Sequence, residues 1–508
     1  MIKTWKLKKP FQFKYVLIMS NSVQFGKVRS FLFPIYNHEF KKFFAFAGIM
    51  FCMIMNYTLL RNMKDVLVVN AAGAGIITFL KTYCVTPAAI LFFMLFVKLS
   101  NKFSRENLFY VIIIPFLAYF VIFGFIINPN FEYFHLSQNV IDAIHENHPH
   151  SKGFFDLGIY WSYSLFYILA ELWGSVGIQI LFWQFVNQVV SMEQSKRFFA
   201  LFVVASNVSL ILVGVIAKAL QAALPGDENW NALVKVEMFI VLLVGIISMG
   251  CNWYLNRIVL PAEAPLDDSQ KKAKKKKPGL AESFKIIFTS KHLGFIALLV
   301  ICYGISINLL EVQWKEQLKN HFAGNKAGMN SFMGSYSAWT GFLTIIFSWF
   351  LASQILRKLG WFFGAILTPV VLLTVGTIFF ILIMGGRADA VKGLITNPVA
   401  VAVFVGAGAI ICTKATKYSL FDTTKEQAYI PLDIELKSKG KAAVEVAGGR
   451  LGKGSGALIQ SIICMIMGTT VASAYTSLAF GFFLVAVFVW MYAVKGLNKS
   501  IKNLVASK

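Results

Sequence analysis

A chain of 508 residues that is 57% hydrophobic and only 14% charged is too apolar for a string of soluble domains. Lysine and arginine outnumber aspartate and glutamate by 48 to 24, yet the bases gather at the ends of apolar runs rather than in one soluble block. That distribution speaks against a nucleic-acid-binding module and for charges that orient helices in a bilayer.

A membrane-spanning helix needs ~20 mostly apolar residues. Twelve runs meet that length, near 43–66, 76–97, 108–128, 159–186, 198–223, 233–256, 284–314, 331–356, 361–384, 396–420, 442–470 and 474–494. The basic lead (Lys3, Lys6, Lys8, Lys9) precedes an apolar stretch too short for a signal-peptide core, and reads as cytoplasmic. With the N-terminus inside, the inner loops are basic: Lys98, Lys102 and Arg105; Lys196 and Arg197; Lys271 to Lys277; Arg357 and Lys358; 421–441; and the tail from Lys495. The outer loops at 221–232 and 471–474 carry no Lys or Arg, while Lys315, Lys319, Lys326, Arg387 and Lys392 run against the trend. The balance places both termini in the cytoplasm. The six cysteines (Cys52, Cys84, Cys251, Cys302, Cys412 and Cys464) fall in or beside apolar runs without a C-x-x-C pair, so no zinc site or disulfide framework is indicated.

The self-repelling lysine run within 257–283 divides the chain into six runs and six. The expected organisation is a cytoplasmic segment 1–42, a six-helix bundle 43–256, the linker 257–283, a second six-helix bundle 284–494 and a cytoplasmic tail 495–508. The two halves are faint copies, since Cys52, Leu59 and Leu60 stand 250 positions before Cys302, Leu309 and Leu310. Parallel repeats holding a substrate between them describe major-facilitator-type transporters. The expected fold class is therefore an all-α membrane protein, with twelve transmembrane helices in two pseudo-symmetric six-helix halves.

Ionisable groups inside such runs cost ~2.5–3.5 kcal/mol each on insertion scales and mark function by default. The first run holds Arg61, Lys64 and Asp65. Arg61 and Lys64 share a helix face and Arg61 can pair with Asp65, although lysines at a helix end also simply snorkel to water. In the fourth run Glu171 has no base within one turn, so it needs a proton or a cation from another helix, for which Lys64 is the candidate. In the seventh, Glu311 and Lys315 are spaced to pair locally, and Asn308 one turn earlier can read a base edge. The eleventh carries GGRLGKGSG, which fails the phosphate-loop pattern because Ala447 and Gly454 stand where Gly and Ser or Thr belong. Arg450 and Lys453 there share a face among glycines, which suits close helix packing or a bulky ligand held by two cations. The charges of 402–460 otherwise read mostly as a solvated loop, with Lys417, Arg450 and Lys453 excepted.

KYSLFDTTKEQAYIPLD (417–433), GKAAVEV (440–446) and GGRLGKGSGALIQ (448–460) resemble the nucleotide transport proteins. These are the ATP/ADP translocases of plastids and obligate intracellular bacteria, unrelated to the mitochondrial carrier. LRNMKD (60–65) and EVQWK (311–315) match the same family, while Gln313 and Gln427 stand where Thr and Met are expected. The resemblance implies transport roles at the positions of Lys64 and Lys453. Reading and resemblance together give a substrate-binding set of Arg61, Lys64, Glu171, Asn308, Glu311, Lys315, Arg450 and Lys453. The expected function is an antiporter exchanging ATP for ADP by alternating access, in a bacterial inner membrane. Its partners are ATP, ADP and the bilayer; it needs no cofactor, metal or nucleic acid, acts as a monomer and is not an enzyme. Within the family, a broad nucleoside triphosphate exchanger or a nucleotide–proton symporter is the alternative. A membrane enzyme would need a nucleophile or metal cluster, for which His145, His148 and His150 in an outer loop are the nearest approach.

Overall fold

The computed structural model describes residues 33–262, 290–385, 397–432 and 449–506, together with Arg29 and Val444. Regular structure among these residues is entirely helical, as hydrocarbon demands of a backbone that must satisfy its own hydrogen bonds. The first six long helices are α1 (Asn37–Ala72), α2 (Ile76–Lys102), α3 (Arg105–Phe134), α4 (Trp161–Val189), α5 (Glu193–Ala223) and α6 (Asp227–Ala262). Then come α7 (Lys291–His321), α8 (Lys326–Ile346), α9 (Gly360–Gly385), α10 (Pro398–Ala428), α11 (Gly449–Met467) and α12 (Ala472–Leu504).

Among the described residues, ten of these are long and apolar enough to cross a membrane. The described parts of α8 and α11 fall short of that test, and the twelve crossings stand as an expectation. α8 (KAGMNSFMGSYSAWTG…) and the start of α11 (GRLGKGSG) carry small and polar residues that suit a protein interior better than lipid. Most of the 257–283 linker, and the loop after residue 432, lie outside the described residues. Between α3 and α4 the chain folds into two short helices, Gln138–Asn147 and Lys152–Ile159.

Small residues let helices from opposite ends of the sequence meet closely. A Cβ on Gly334 of α8 would lie 2.4 Å from Ala217 Cβ of α5, and one on Gly214 of α5 would lie 2.5 Å from Ala338 Cβ of α8. A Cβ on Gly304 of α7 would sit 2.5 Å from the Gly452 carbonyl carbon of α11. The α1–α2 turn is built the same way. Gly73 adopts φ +84°, which favours glycine. Gly75 N–H donates to Thr470 O at 3.0 Å, where a Cβ would stand only 2.2 Å from that oxygen. Ala74 N–H donates to Glu316 Oε2 at 3.1 Å, and Thr470 Oγ1 donates to Ala72 O at 3.3 Å. These bonds tie the α1–α2 end of the bundle shut across the two halves of the chain.

Replacing Gly334 by Val should lower the thermal unfolding midpoint in detergent, because overpacking of this kind costs ~1–3 kcal/mol. Gly408→Ala, where nothing lies within 4 Å of the added carbon, should leave the midpoint unchanged or raise it slightly.

Candidate functional site

The charged runs of α1 and α7 face one another across a cavity of about 170 Å³. α1 contributes Tyr57, Arg61, Lys64 and Asp65; α2 contributes Lys81; α4 contributes Glu171. From the other half of the chain α7 brings Tyr303, Asn308, Glu311 and Lys315, α8 brings Tyr336, and α10 brings Lys414, Lys417 and Tyr418. Lys81 and Lys417 lie in single π-helical turns, Leu80–Val85 and Lys417–Phe421, local distortions that recur at functional sites.

The charges are knitted together. Lys64 Nζ lies 2.9 Å from Glu171 Oε1 and 2.9 Å from Asp65 Oδ1, over the Tyr167 ring at 3.7 Å from its centroid. Lys64 and Asp65 are 1% and 2% exposed, so the ammonium is held by two carboxylates and an aromatic face rather than by water. Glu171 therefore meets the cation expected of it. Lys315 Nζ reaches across to the other Asp65 oxygen at 2.8 Å. Lys414 Nζ lies 2.6 Å from Glu311 Oε1 and donates to Tyr336 Oη at 2.7 Å. Arg61 donates to Ser337 Oγ at 3.3 Å.

Two local pairings read from spacing are replaced by these contacts. Glu311 turns to Lys414 of α10 rather than to Lys315, and Asp65 turns to Lys64 and Lys315 rather than to Arg61. An i,i+4 pair on a solvated helix contributes only ~0.3–0.5 kcal/mol, whereas oppositely charged groups buried in a low dielectric attract far more strongly. The tertiary partners win.

Six of the eight predicted residues (Arg61, Lys64, Glu171, Asn308, Glu311 and Lys315) come together in this cavity. Arg450 and Lys453 sit on α11, whose Gly452 packs against α7, but their side chains lie outside the described residues. Lys81, Lys414 and the tyrosines at 57, 303, 336 and 418 went unpredicted. Lys81 carried a usable signal, a lysine inside an apolar run, while Lys414 was masked by the many loop charges that follow it. Gln313 lies away from the cavity, donating to Ala472 O at 2.8 Å and accepting from Thr476 Oγ1 at 2.9 Å. Its departure from the family pattern therefore belongs to the α7–α12 contact. The three histidines between α3 and α4 do not converge: His145 meets Asp156 at 2.7 Å, His150 meets Met465 O at 2.9 Å, and His148 stacks on Phe155. No group of three or more His, Cys, Asp or Glu able to hold a metal occurs among the described residues.

Among the described lining residues, six cationic side chains stand against three carboxylates, an excess of three positive charges. Chemically, the cavity can hold a polyanion whose oxygens compete with Asp65, Glu171 and Glu311 for the same ammonium groups. Removing the hub should be costly. Lys64→Met should destabilise the protein by ~3–5 kcal/mol, because it strands buried carboxylates. The double variant Lys64→Met/Glu171→Gln should recover part of that loss, read as thermal midpoints in detergent.

The chain matches the family described as TLC ATP/ADP transporter over residues 19–501. It is 40% identical over 488 residues to ADP,ATP carrier protein 1 of Chlamydia muridarum, covering 94% of this chain and 91% of that one. It is 39% identical to ADP,ATP carrier protein 4 of Rickettsia conorii, covering 94% and 95%. Among solved structures it resembles a bacterial homologue of the iron transporter ferroportin in an inward-facing state, with TM-score 0.55 and 13% identity over 91% of this chain and 100% of that chain. It also resembles a D-xylose–proton symporter, with TM-score 0.54 and 11% identity over 90% and 99%. At such identities these two likenesses show the fold alone, that of major-facilitator-like transporters.

Proposed function

The chain belongs to the TLC ATP/ADP transporter family, and from that premise we propose that it exchanges ATP for ADP across a membrane by alternating access. The observation that carries the reading is the charge balance of the cavity. With Lys417 paired to Asp422 at 2.8 Å, Arg61 and Lys81 are the lining cations that no ion pair compensates among the described residues, and this surplus suits a ligand bearing several negative charges on adjacent phosphates. The base then has Asn308 and the tyrosines of α1, α7 and α10 within the same cavity, which offer hydrogen bonding and aromatic faces.

The ion pairs give exchange a physical basis. The cavity is lined by helices of both halves, so in this reading the halves part to admit a nucleotide. When it enters, phosphate replaces carboxylate on Lys64, Lys315 and Lys414. When it leaves without a successor, those cations must find their carboxylates again or stay uncompensated in low dielectric, at a cost of several kcal/mol per ion. Reorientation with a nucleotide aboard is the easier course. In this reading Arg450 and Lys453 add cations from α11, both termini are cytoplasmic, the α1–α2 end faces outward, and the carrier acts as a monomer in a bacterial inner membrane. It uses no cofactor and performs no chemical conversion.

Proteoliposomes loaded with ADP, ATP, GTP, UTP or nothing, and offered labelled ATP, test this directly. Uptake should occur only into ADP- or ATP-loaded vesicles. Equal uptake against GTP or UTP would replace the reading with a broad triphosphate exchanger, and entry into empty vesicles under a pH gradient would replace it with a proton symporter. Glu311→Gln, Lys64→Gln and Lys453→Ala should each cut exchange about 10- to 100-fold, the worth of one charge-assisted hydrogen bond at ~1.5–3 kcal/mol, while insertion persists.

A further inference from the structure

One buried carboxylate takes no part in the cavity. Glu237 lies on α6, ten residues beyond Asp227 where that helix begins, and so about 15 Å along the helix axis from its outer end. It is 1% exposed. Its Oε1 accepts a hydrogen bond from the side-chain amide of Asn330 on α8, itself 2% exposed. Its Oε2 has no hydrogen-bond partner, and no ion pair reaches it among the described residues. α6 and α8 belong to opposite halves of the chain, so this bond spans an interface that alternating access has to open.

The surroundings supply no counter-ion. On α8, Lys326 stands one turn further out than Asn330 and gives its backbone N–H to Asp227 Oδ1 at 2.7 Å. On α1, Lys64 and Asp65 are committed to each other, to Glu171 and to Lys315. α3 meets α6 here through apolar contact, with Gly124 against Met238. Lys235, on α6 itself, is two residues away and therefore points off to another side of the helix. A carboxyl group this buried, with no cation beside it, is stable in a membrane only as the neutral acid.

A way to water lies close by. A cavity of about 490 Å³ at the same end of the bundle is lined by Asn70, Trp230, Asn231 and Lys326. Trp230, Val234 and Glu237 fall at i, i+4 and i+7, on one face of α6. Glu237 thus sits two turns below the floor of a polar vestibule.

We propose that Glu237 is a proton-binding site whose neutral form seals α6 to α8, so that opening this side of the carrier releases one proton. Opening breaks the Asn330–Glu237 hydrogen bond and admits water from the vestibule. The carboxyl O–H then gives its proton to that water and leaves a solvated carboxylate. Resealing takes a proton back. The sealed state binds one more proton than the open state, so rising pH favours opening and falling pH favours sealing. The inference rests on the transporter reading above and adds a proton-linked bias to its outward side.

The experiment reads the seal without nucleotide. In a variant whose native cysteines are replaced by serine, Ala74→Cys, fully buried at the α1–α2 closure, is labelled with a membrane-impermeant maleimide. Labelling is followed from about pH 5 to about pH 8, and Tyr133→Cys, 90% exposed in the parent side chain, normalises for thiol chemistry. Normalised labelling should rise with pH, by up to about tenfold per pH unit where one proton is linked, and Glu237→Gln should flatten the profile. An equal slope in the wild type and Glu237→Gln, or a flat wild-type profile, overturns the proposal. If Glu237→Gln fails to insert, Asn330→Ala must shift the midpoint of the profile; an unmoved midpoint has the same force. Flat labelling with intact ATP/ADP exchange sinks only the proton site, whereas pH-dependent labelling without exchange sinks only the nucleotide reading.

Discussion

The structure depends on how positive charge is kept inside an apolar bundle. An isolated ammonium in a low dielectric is costly, and a pair repays that cost only with good geometry. Here three lysines of the cavity have been given a partner from another helix: Lys64 with Glu171, Lys315 with Asp65, and Lys414 with Glu311. The network holds more cations than carboxylates. It is complete enough to let the bundle form and incomplete enough to want an anion. Stability and ligand affinity are then two readings of one charge imbalance.

The same contacts join the two halves. Asp65 of α1 is bridged by Lys315 of α7, and Arg61 of α1 reaches Ser337 of α8. Around them, glycines and alanines on α5, α8, α7 and α11 allow backbones to approach where any larger side chain would hold them apart. Backbone bonds from the α1–α2 turn to Thr470 and Glu316 then close one end. The described contacts between the halves thus include ion pairs, hydrogen bonds and close approaches at small residues.

Much of this was legible from residue order alone. Apolar runs of spanning length became long helices, because the requirement acts within each segment: a helix satisfies its own backbone wherever it is placed. Charges isolated within those runs pointed to Arg61, Lys64, Glu171, Glu311 and Lys315, because their cost in hydrocarbon does not depend on knowing the partner. Even the pairing of Glu171 with Lys64 could be reasoned out, since Glu171 had no base within a turn of its own helix.

Tertiary structure decided which charge meets which. Helical spacing offered Glu311 to Lys315 and Asp65 to Arg61, but buried groups respond to the strongest field in reach, and that field comes from α10, α7 and α1 together. It also decided that Lys414, on the edge of an apparently solvated stretch, belongs inside. It gave the glycines of GGRLGKGSG a visible packing role at Gly452 and Gly456, against α7. Segment-level physics can be read from one stretch at a time; the placing of one segment against another arises only when all of them compete for the same few opposite charges.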